Sequence, residues 1–419
     1  MFRAIDKWLA GYLASAVRRP WNVPGPKHLV FCVADHFEPF QDKAGKRTAL
    51  GKVEEWCGRF PALAGAFRDS DGVGPQYTFF YPQEEYDADC LDKLAEICGK
   101  NLGEVEIQLH HRNDTPAGFQ SKLEGFRDVL RGRHGLLGAD SDGKVRYGFV
   151  HGNWALCNSR PDGDWCGVNE EIGILRRSGC YADFTFPSAP SPTQPRMVNA
   201  IYYASDTGQP GAAEKGKPVI SNQTIDHRPQ TTERSQESEV RTQQPGKDHR
   251  PQRESSIRNP AIGNRQSEIG NDLMLITGPL ALDWRRRKWG LLPRLENGAI
   301  TAVNPPLPGR IDSWARQGIH VEGRPEWVFV KVYTHGCRRE NMDVLLGEAM
   351  RVAFDYLTTA YNDGRRWVLH FVTAREMYNI VRAAEEGKSG NPGNYRDYEI
   401  SKPPICARTG VSRSGEKDM

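Results

Sequence analysis

Glu104-Val-Glu-Ile-Gln-Leu-His-His-Arg-Asn-Asp114 is the stretch on which the fold turns. Val105, Ile107 and Leu109 alternate with Glu104, Glu106 and Gln108, the two-residue period of a strand with one buried face. The alternation stops at His110, His111 and Asp114. Imidazoles and a carboxylate where a strand passes into its loop suit a divalent metal. A polar surface loop after a strand would look the same.

Outward from this stretch, strands and helices alternate. Residues 28 to 34 form a continuous apolar run, as in a buried parallel strand, and end in Asp35-His36-Phe37-Glu38-Pro39. A helix is expected over 46 to 68, then a strand from Tyr77 to Tyr81 stopped by Pro82, and a short helix from Leu91 to Cys98. Beyond the central strand come a helix from Phe119 to Leu130 and a strand from Val145 to Val150 running into His151-Gly-Asn-Trp154. A helix from Glu170 to Arg177 and a strand from Tyr181 to Phe186 follow. Further on, strands are expected at 272 to 277, 327 to 333 and 367 to 372, with helices at 341 to 359 and 374 to 384. Such alternation predicts an α/β fold, a distorted (β/α) barrel of seven strands.

The flanks differ. Residues 1–27 predict an amphipathic helix and linker: Phe2, Ile5, Leu9, Tyr12 and Leu13 recur at helical spacing, and Arg3, Asp6 and Lys7 break any signal-peptide core. The helix is expected to pack on its own domain; with Lys7, Arg18 and Arg19, residues 2–19 offer peripheral membrane contact as the alternative. The first part of the barrel spans 28–204. Residues 205–271 are rich in Gly, Pro, Gln, Ser, Arg and Glu, with no Phe, Tyr or Trp between Tyr203 and Trp284, and predict a disordered insertion. His227 and His249 lie there in near-copies of Asp-His-Arg-Pro-Gln and carry little weight as ligands. The second part of the barrel spans 272–386, and 387–419 reads as a loose polar tail. Trp284-Arg-Arg-Arg-Lys288 reads as a solvated face, or as a surface for an anionic partner such as a phosphorylated sugar or lipid headgroup.

A net charge of +3 on 419 residues does not call for nucleic acid. Nine cysteines with no Cys-x-x-Cys pair read as reduced thiols in a cytoplasmic chain. His36, His110, His111, His151, His335 and His370 fall in or just after strand ends, with Asp35, Asp114 and Asp183 in the same layer. Chemistry in α/β barrels sits at the C-terminal ends of the strands, so these residues predict a metal-dependent site there.

In this order, the strand-end motifs resemble those of the polysaccharide deacetylases (NodB-homology, carbohydrate esterase family 4). The resemblance covers about 28 to 385 without the insertion. Asp35-His36 stands where the family has two aspartates, a base and a metal ligand. His110-x-x-x-Asp114 stands where it has His-x-x-x-His, and His335 in Val-Tyr-Thr-His stands where it has its general acid. The resemblance therefore implies a divalent metal, zinc first and cobalt or nickel next, on His36, His110 and Asp114. That set keeps two imidazoles and one carboxylate, with types permuted. His111 competes with His110 for the ligand role, because neighbours in a strand point to opposite faces. Asp35 becomes the base and His335 the acid, while His151, Asn153, Trp154 and Asp183 line the saccharide pocket.

The implied reaction is removal of acetyl groups from an N- or O-acetylated glycan or glycan precursor. Two other readings stand beside it. One is a barrel that binds glycan or supports polysaccharide assembly without hydrolysis. The other is a glycosidase using Asp35 or Glu38 with Asp183 as its two carboxylates.

Overall fold

The computed structural model describes residues 4–20, 22–222 and 272–407. The remainder, which includes residues 223–271 with His227 and His249 and the end of the tail from 408, lies outside the described residues.

Strand β1, Lys27–His36, is the hub of a largely parallel sheet of ten strands. Along one edge it pairs with β11, Trp327–Thr334, from His28 to Asp35. Along the other it pairs with β12, Trp367–Val372, from Lys27 to Cys32, and then with β2, Tyr77–Pro82, from Ala34 to His36. The sheet continues through β3 (Gly103–Leu109), β4 (Tyr147–His151), β5 (Cys180–Asp183) and β8 (Asp272–Ile276), all parallel. Two short strands end it in antiparallel pairing, β6 (Ile201–Ser205) and β7 (Lys217–Pro218). A separate antiparallel hairpin, β9 (Ala281–Lys288) with β10 (Leu292–Glu296), stands apart from the sheet. Seven closed strands were expected. Among the described strands the ladder has ten, and no ladder joins β8 to β11.

The alternation of β1 divides the interior. Leu29, Phe31 and Val33 join the core beneath the helices, with Trp56, Phe60 and Phe79. Val30, Cys32 and Ala34 join the core on the other face, with Val150, Phe184 and Met274. The helices on the outer face are α2 (Lys46–Gly65), α3 (Ala88–Gly99), α4 (Pro116–Gly132) and α5 (Glu171–Ser178). Pro305, Pro306 and Pro308 read in the sequence as a loop, yet Pro308 opens helix α6, Pro308–Arg316. Pro308 sits at the first helical turn, where a missing N–H costs nothing. The expected single helix over 341 to 359 is two, α7 (Arg339–Leu345) and α8 (Glu348–Ala360), parted at Gly347. A Cβ at Gly347 would overlap the Asp343 carbonyl oxygen. Helix α9, Ala374–Glu385, opens with a capping box between Thr373 and Glu376.

Several boundaries shift. Residues 205–222 are ordered rather than part of an insertion: they contain β7 and a short helix, Ala212–Glu214, whose Glu214 pairs with Lys7. The tail is packed as far as it is described. Arg396 pairs with Asp69, Asp71 and Glu376, and Ile400 is buried. The N-terminal helix α1, Ile5–Arg18, packs on its own domain, with Trp8 buried in a small cluster with Leu280 and Leu282 of the hairpin base. Among the described residues no helix is long and apolar enough to cross a membrane.

Strand β3 departs furthest from its expected half-exposed state: every residue in it is buried. Its polar face is answered inside, apart from Gln108 Oε1. Glu104 takes Arg375 and Thr373; Glu106 accepts from the Tyr181 hydroxyl at 2.6 Å and from Gly148 N at 2.5 Å; Gln108 donates to Glu38 at 2.6 Å. Burial pushes the Glu106 carboxyl up to about 8, against the pull of its two donors. Its folded pKa is raised, so its contribution is fully present below the ordinary carboxylate pKa and is lost as pH rises through about 8. Glu106→Gln is therefore expected to flatten the loss of thermal stability between about pH 5 and about pH 9. Melting temperatures at both pH values check this, and an unchanged slope would remove Glu106 as its source.

Candidate metal centre

Three strand ends converge at the C-terminal edge of the sheet. His36 closes β1, Glu38 follows it, and His335 follows β11. One ligand atom from each lies within 4.8 Å of the others. The His36 and His335 rings stack at 4.9 Å between centroids. His110, just past β3, brings Nε2 to 3.5 Å from Glu38 Oε1, and its Nδ1 meets the Glu84 carboxylate at 2.5 Å. Trp154 and Tyr333 form the aromatic wall, their ring centroids 6.4 Å and 6.1 Å from that of His36.

The electrostatics follow from burial and neighbours. Burial lowers His36 and His335, which favours the uncharged imidazole in both. Burial alone would raise Glu38, but the hydrogen bond with His110 foremost holds it at about 2, an anion. Burial alone would lower His110, yet Glu38 and Glu84 raise it to about 10. The Nδ1 of His36 and the Nε1 of Trp154 are buried without a hydrogen-bond partner. Two imidazoles, one of them with an unpaired ring nitrogen, and one carboxylate are a donor set that fits a divalent transition metal.

The sequence places a different trio here. His36 and His110 do meet at this edge, but Asp114 does not join them. Its carboxylate takes Lys122 at 2.7 Å and lies 3.4 Å from His111 Nδ1. Glu38 stands in its place as the carboxylate, and His335 is a candidate ligand rather than a free acid. Asp35 is out of the pocket, because alternation along β1 turns it toward the helix-side core. There its Oδ1 accepts from Gly336 N at 2.6 Å, while Gly336 O accepts from Trp56 Nε1 at 3.0 Å. Burial raises Asp35 to about 8. It positions the turn that carries His335.

Of the expected pocket lining, only Trp154 faces the cluster. Asn153 donates to the His111 and Trp165 carbonyls and braces the loop. Asp183 is buried and accepts from Thr185 N and Oγ1, which commits the second carboxylate of the glycosidase reading. His151 belongs to a second, fully buried group with His111, Cys166 and Glu171. His370 lies within β12, opposite Val30, in a third group with Asp69 and Asp71. That group is saturated: His370 binds Asp71 Oδ2 at 2.8 Å and His28 at 2.9 Å, Arg396 shares Oδ2, and Asn391 donates to Oδ1.

Sequence reasoning missed Glu38 and Glu84 as neighbours of His110. The signal for Glu38 was available: two residues past His36, it shares that face of the extended chain. No protein-family model, curated protein or solved structure matches the chain.

The clamp on Gly336 is testable. A Cβ at this position would overlap the buried Asp35 carboxylate. Gly336→Ala is expected to destabilise the fold by about 1–3 kcal/mol and to lower metal retention at His335. Denaturant unfolding and metal analysis of the variant read both effects.

Proposed function

We propose that the protein is a metal-dependent hydrolase that removes acetyl groups from an N- or O-acetylated glycan or glycan precursor. The observation that carries this reading is the convergence of His36, Glu38 and His335 at the C-terminal edge of the sheet, beside an aromatic wall. The resemblance to polysaccharide deacetylases implies two imidazoles and one carboxylate, and this trio has that composition through different members. The finer reading of the fold, a distorted barrel, is supported where β11 approaches the far end of the parallel run. Lys331 Nζ donates to the carbonyls of Phe184 and Phe186, and Gly278 lies so close to the Lys331 carbonyl that a Cβ would overlap it.

His36, Glu38 and His335 would hold the metal. Bound there, a divalent ion would supply Lewis acidity toward an acyl carbonyl and toward the attacking water, whose proton would pass to solvent. His110 carries the proton for the departing alcohol or amine; Glu84 orients its ring through Nδ1, so that Nε2 faces the cluster. Trp154 offers a ring face to the sugar and an unused N–H to an acyl oxygen. Asp35, through Gly336, holds the His335 turn in place. A second reading, a barrel that binds glycan without hydrolysing it, is favoured by one observation: the expected base, Asp35, sits on the other side of β1.

The substrate is proposed to lie at a membrane surface, as a lipid-linked saccharide would. The β9–β10 hairpin exposes Trp289 at 72%, Leu291 at 77% and Trp284 at 57%, interleaved with Arg285, Arg287 and Lys288. Tryptophan and cationic side chains side by side suit the interface of an anionic bilayer. The hairpin base reaches the candidate centre: Asn297 Nδ2 donates to the Tyr333 hydroxyl at 3.0 Å.

Two outcomes test these proposals. Glu38→Gln is expected to lower acetate release from acetylated chito-oligosaccharides by about 100-fold or more, and His110→Ala by about 100-fold with metal retained. Absence of acetate release by the metal-loaded parent, with saccharide binding intact, would favour the second reading. The chain is expected to sediment with vesicles containing phosphatidylglycerol and not with phosphatidylcholine alone. A Trp289→Ala, Leu291→Ala double variant is expected to lose that association; equal sedimentation of variant and parent would dismiss the hairpin as the contact.

A further inference from the structure

We propose that His111, His151, Cys166 and Glu171 form a closed structural site for one divalent transition metal, zinc in the first instance, distinct from the centre at His36. The four residues come from separate places: the turn after β3, the end of β4, the long loop that follows it, and the first residue of α5. Their ligand atoms lie within 4.8 Å of one another, and all four residues are buried. The side chains of His111, His151 and Glu171 have no exposed surface. A site this closed keeps no position for substrate, as in structural rather than catalytic metal sites.

The first argument is the unanswered atoms. Both ring nitrogens of His111, Nε2 of His151 and Oε1 of Glu171 are buried without a hydrogen-bond partner. His111 Nε2 and Glu171 Oε1 are only 2.9 Å apart, yet they do not meet the geometry of a hydrogen bond. Buried polar atoms in native proteins are nearly always satisfied. Atoms that fail to pair at such distances fit donors directed at a common third point. Around a tetrahedral zinc, nitrogen and oxygen ligands sit about 3.3 Å apart. The two separations to Glu171 Oε1, 2.9 Å from His111 Nε2 and 3.8 Å from His151 Nε2, bracket that value, and Cys166 Sγ lies 3.3 Å from the other oxygen, Oε2.

The second argument is the surroundings of the sulfur. Cys166 Sγ accepts from the main-chain N–H groups of Asn158 and Val168, each at 3.4 Å. The same sulfur donates to Glu171 Oε2 and to the Val168 carbonyl, each at 3.3 Å. A divalent cation at this point would take the place of that S–H proton. Outer groups also flank His111 and Glu171. Asp114 lies 3.4 Å from His111 Nδ1, which leaves Nε2 for the centre, and Cys157 N donates to the second Glu171 oxygen at 2.5 Å.

The site explains how the segment from 152 to 170 is held. Its only regular element among the described residues is one short turn, Leu156–Asn158, and Trp154, Cys157, Asn158 and Trp165 all have positive φ. Loops of this length are held by something other than a ladder. Ligation at Cys166 and Glu171 pins the segment that carries Trp154 to the ends of β3 and β4.

The experiment is metal analysis and spectroscopy of the full chain. It is run in a His36→Ala, His335→Ala background, so the outcome is independent of the proposed catalytic centre. About one equivalent of metal is expected to remain. Protein grown with cobalt is expected to show a near-ultraviolet thiolate-to-cobalt charge-transfer band, which Cys166→Ala abolishes together with the retained metal. No retained metal in that background, or bound cobalt without the thiolate band, would overturn the site. Should Cys166→Ala fail to fold, the band in the parent background alone decides between the two outcomes.

Discussion

Three polar side chains in a row on the buried face of one strand constrain this molecule more than any apolar contact. Each buried polar group left without a partner costs about 1–3 kcal/mol, so Glu104, Glu106 and Gln108 must all be answered. The answers come from different parts of the chain. Arg375 on α9 meets Glu104, Tyr181 on β5 meets Glu106, and Glu38 beyond β1 meets Gln108. The row climbs β3 from the foot of the sheet to its functional edge. Its lowest member locks the last helix, its middle member joins β3 to β4 and β5, and its top member presents Glu38 to the histidines. Assembly of the interior and assembly of the candidate centre are therefore one process.

The edge of the sheet divides its chemistry between two sides. On one side lie His36 and Glu38, both buried, with the partly exposed His110 and His335 and an aromatic wall. Toward the helices lies a sealed group in which His111 Nε2, His151 Nε2 and Glu171 Oε1 are unpaired. The loop after β4 belongs to both, because Trp154 reaches the first and Cys166 the second. Rigidity on one side is what lets a loop without a ladder hold a side chain steady on the other.

Much of this was legible. The alternation of β3, the apolar run of β1 and the histidines at strand ends located the sheet and its functional edge. What escaped depended on long-range partners. Alternation shows that Glu104 and Glu106 share a face, but it cannot show that Arg375 and Tyr181 cover it. Asp35 lies beside His36 in sequence, and only the assignment of each strand face to a layer separates their roles. Spacing drew Asp114 to His110, whereas the turn after β3 sends it to Lys122 and His111. Cys166 and Glu171 carry no short motif, because their partners are on β3 and β4. Pro308 looked like a loop signal because a proline reads alike at the start of a helix and outside one.

His110 and His111 are neighbours that serve opposite sides of the same strand end. Leu109, just before them, is paired with His151. Sliding β3 by one residue would exchange the two imidazoles and turn Glu104, Glu106 and Gln108 outward in the same step. A single-residue insertion or deletion between 103 and 109 would thus damage both clusters and the interior at once. This short segment is one in which evolution can exchange side chains but not change the length of the chain.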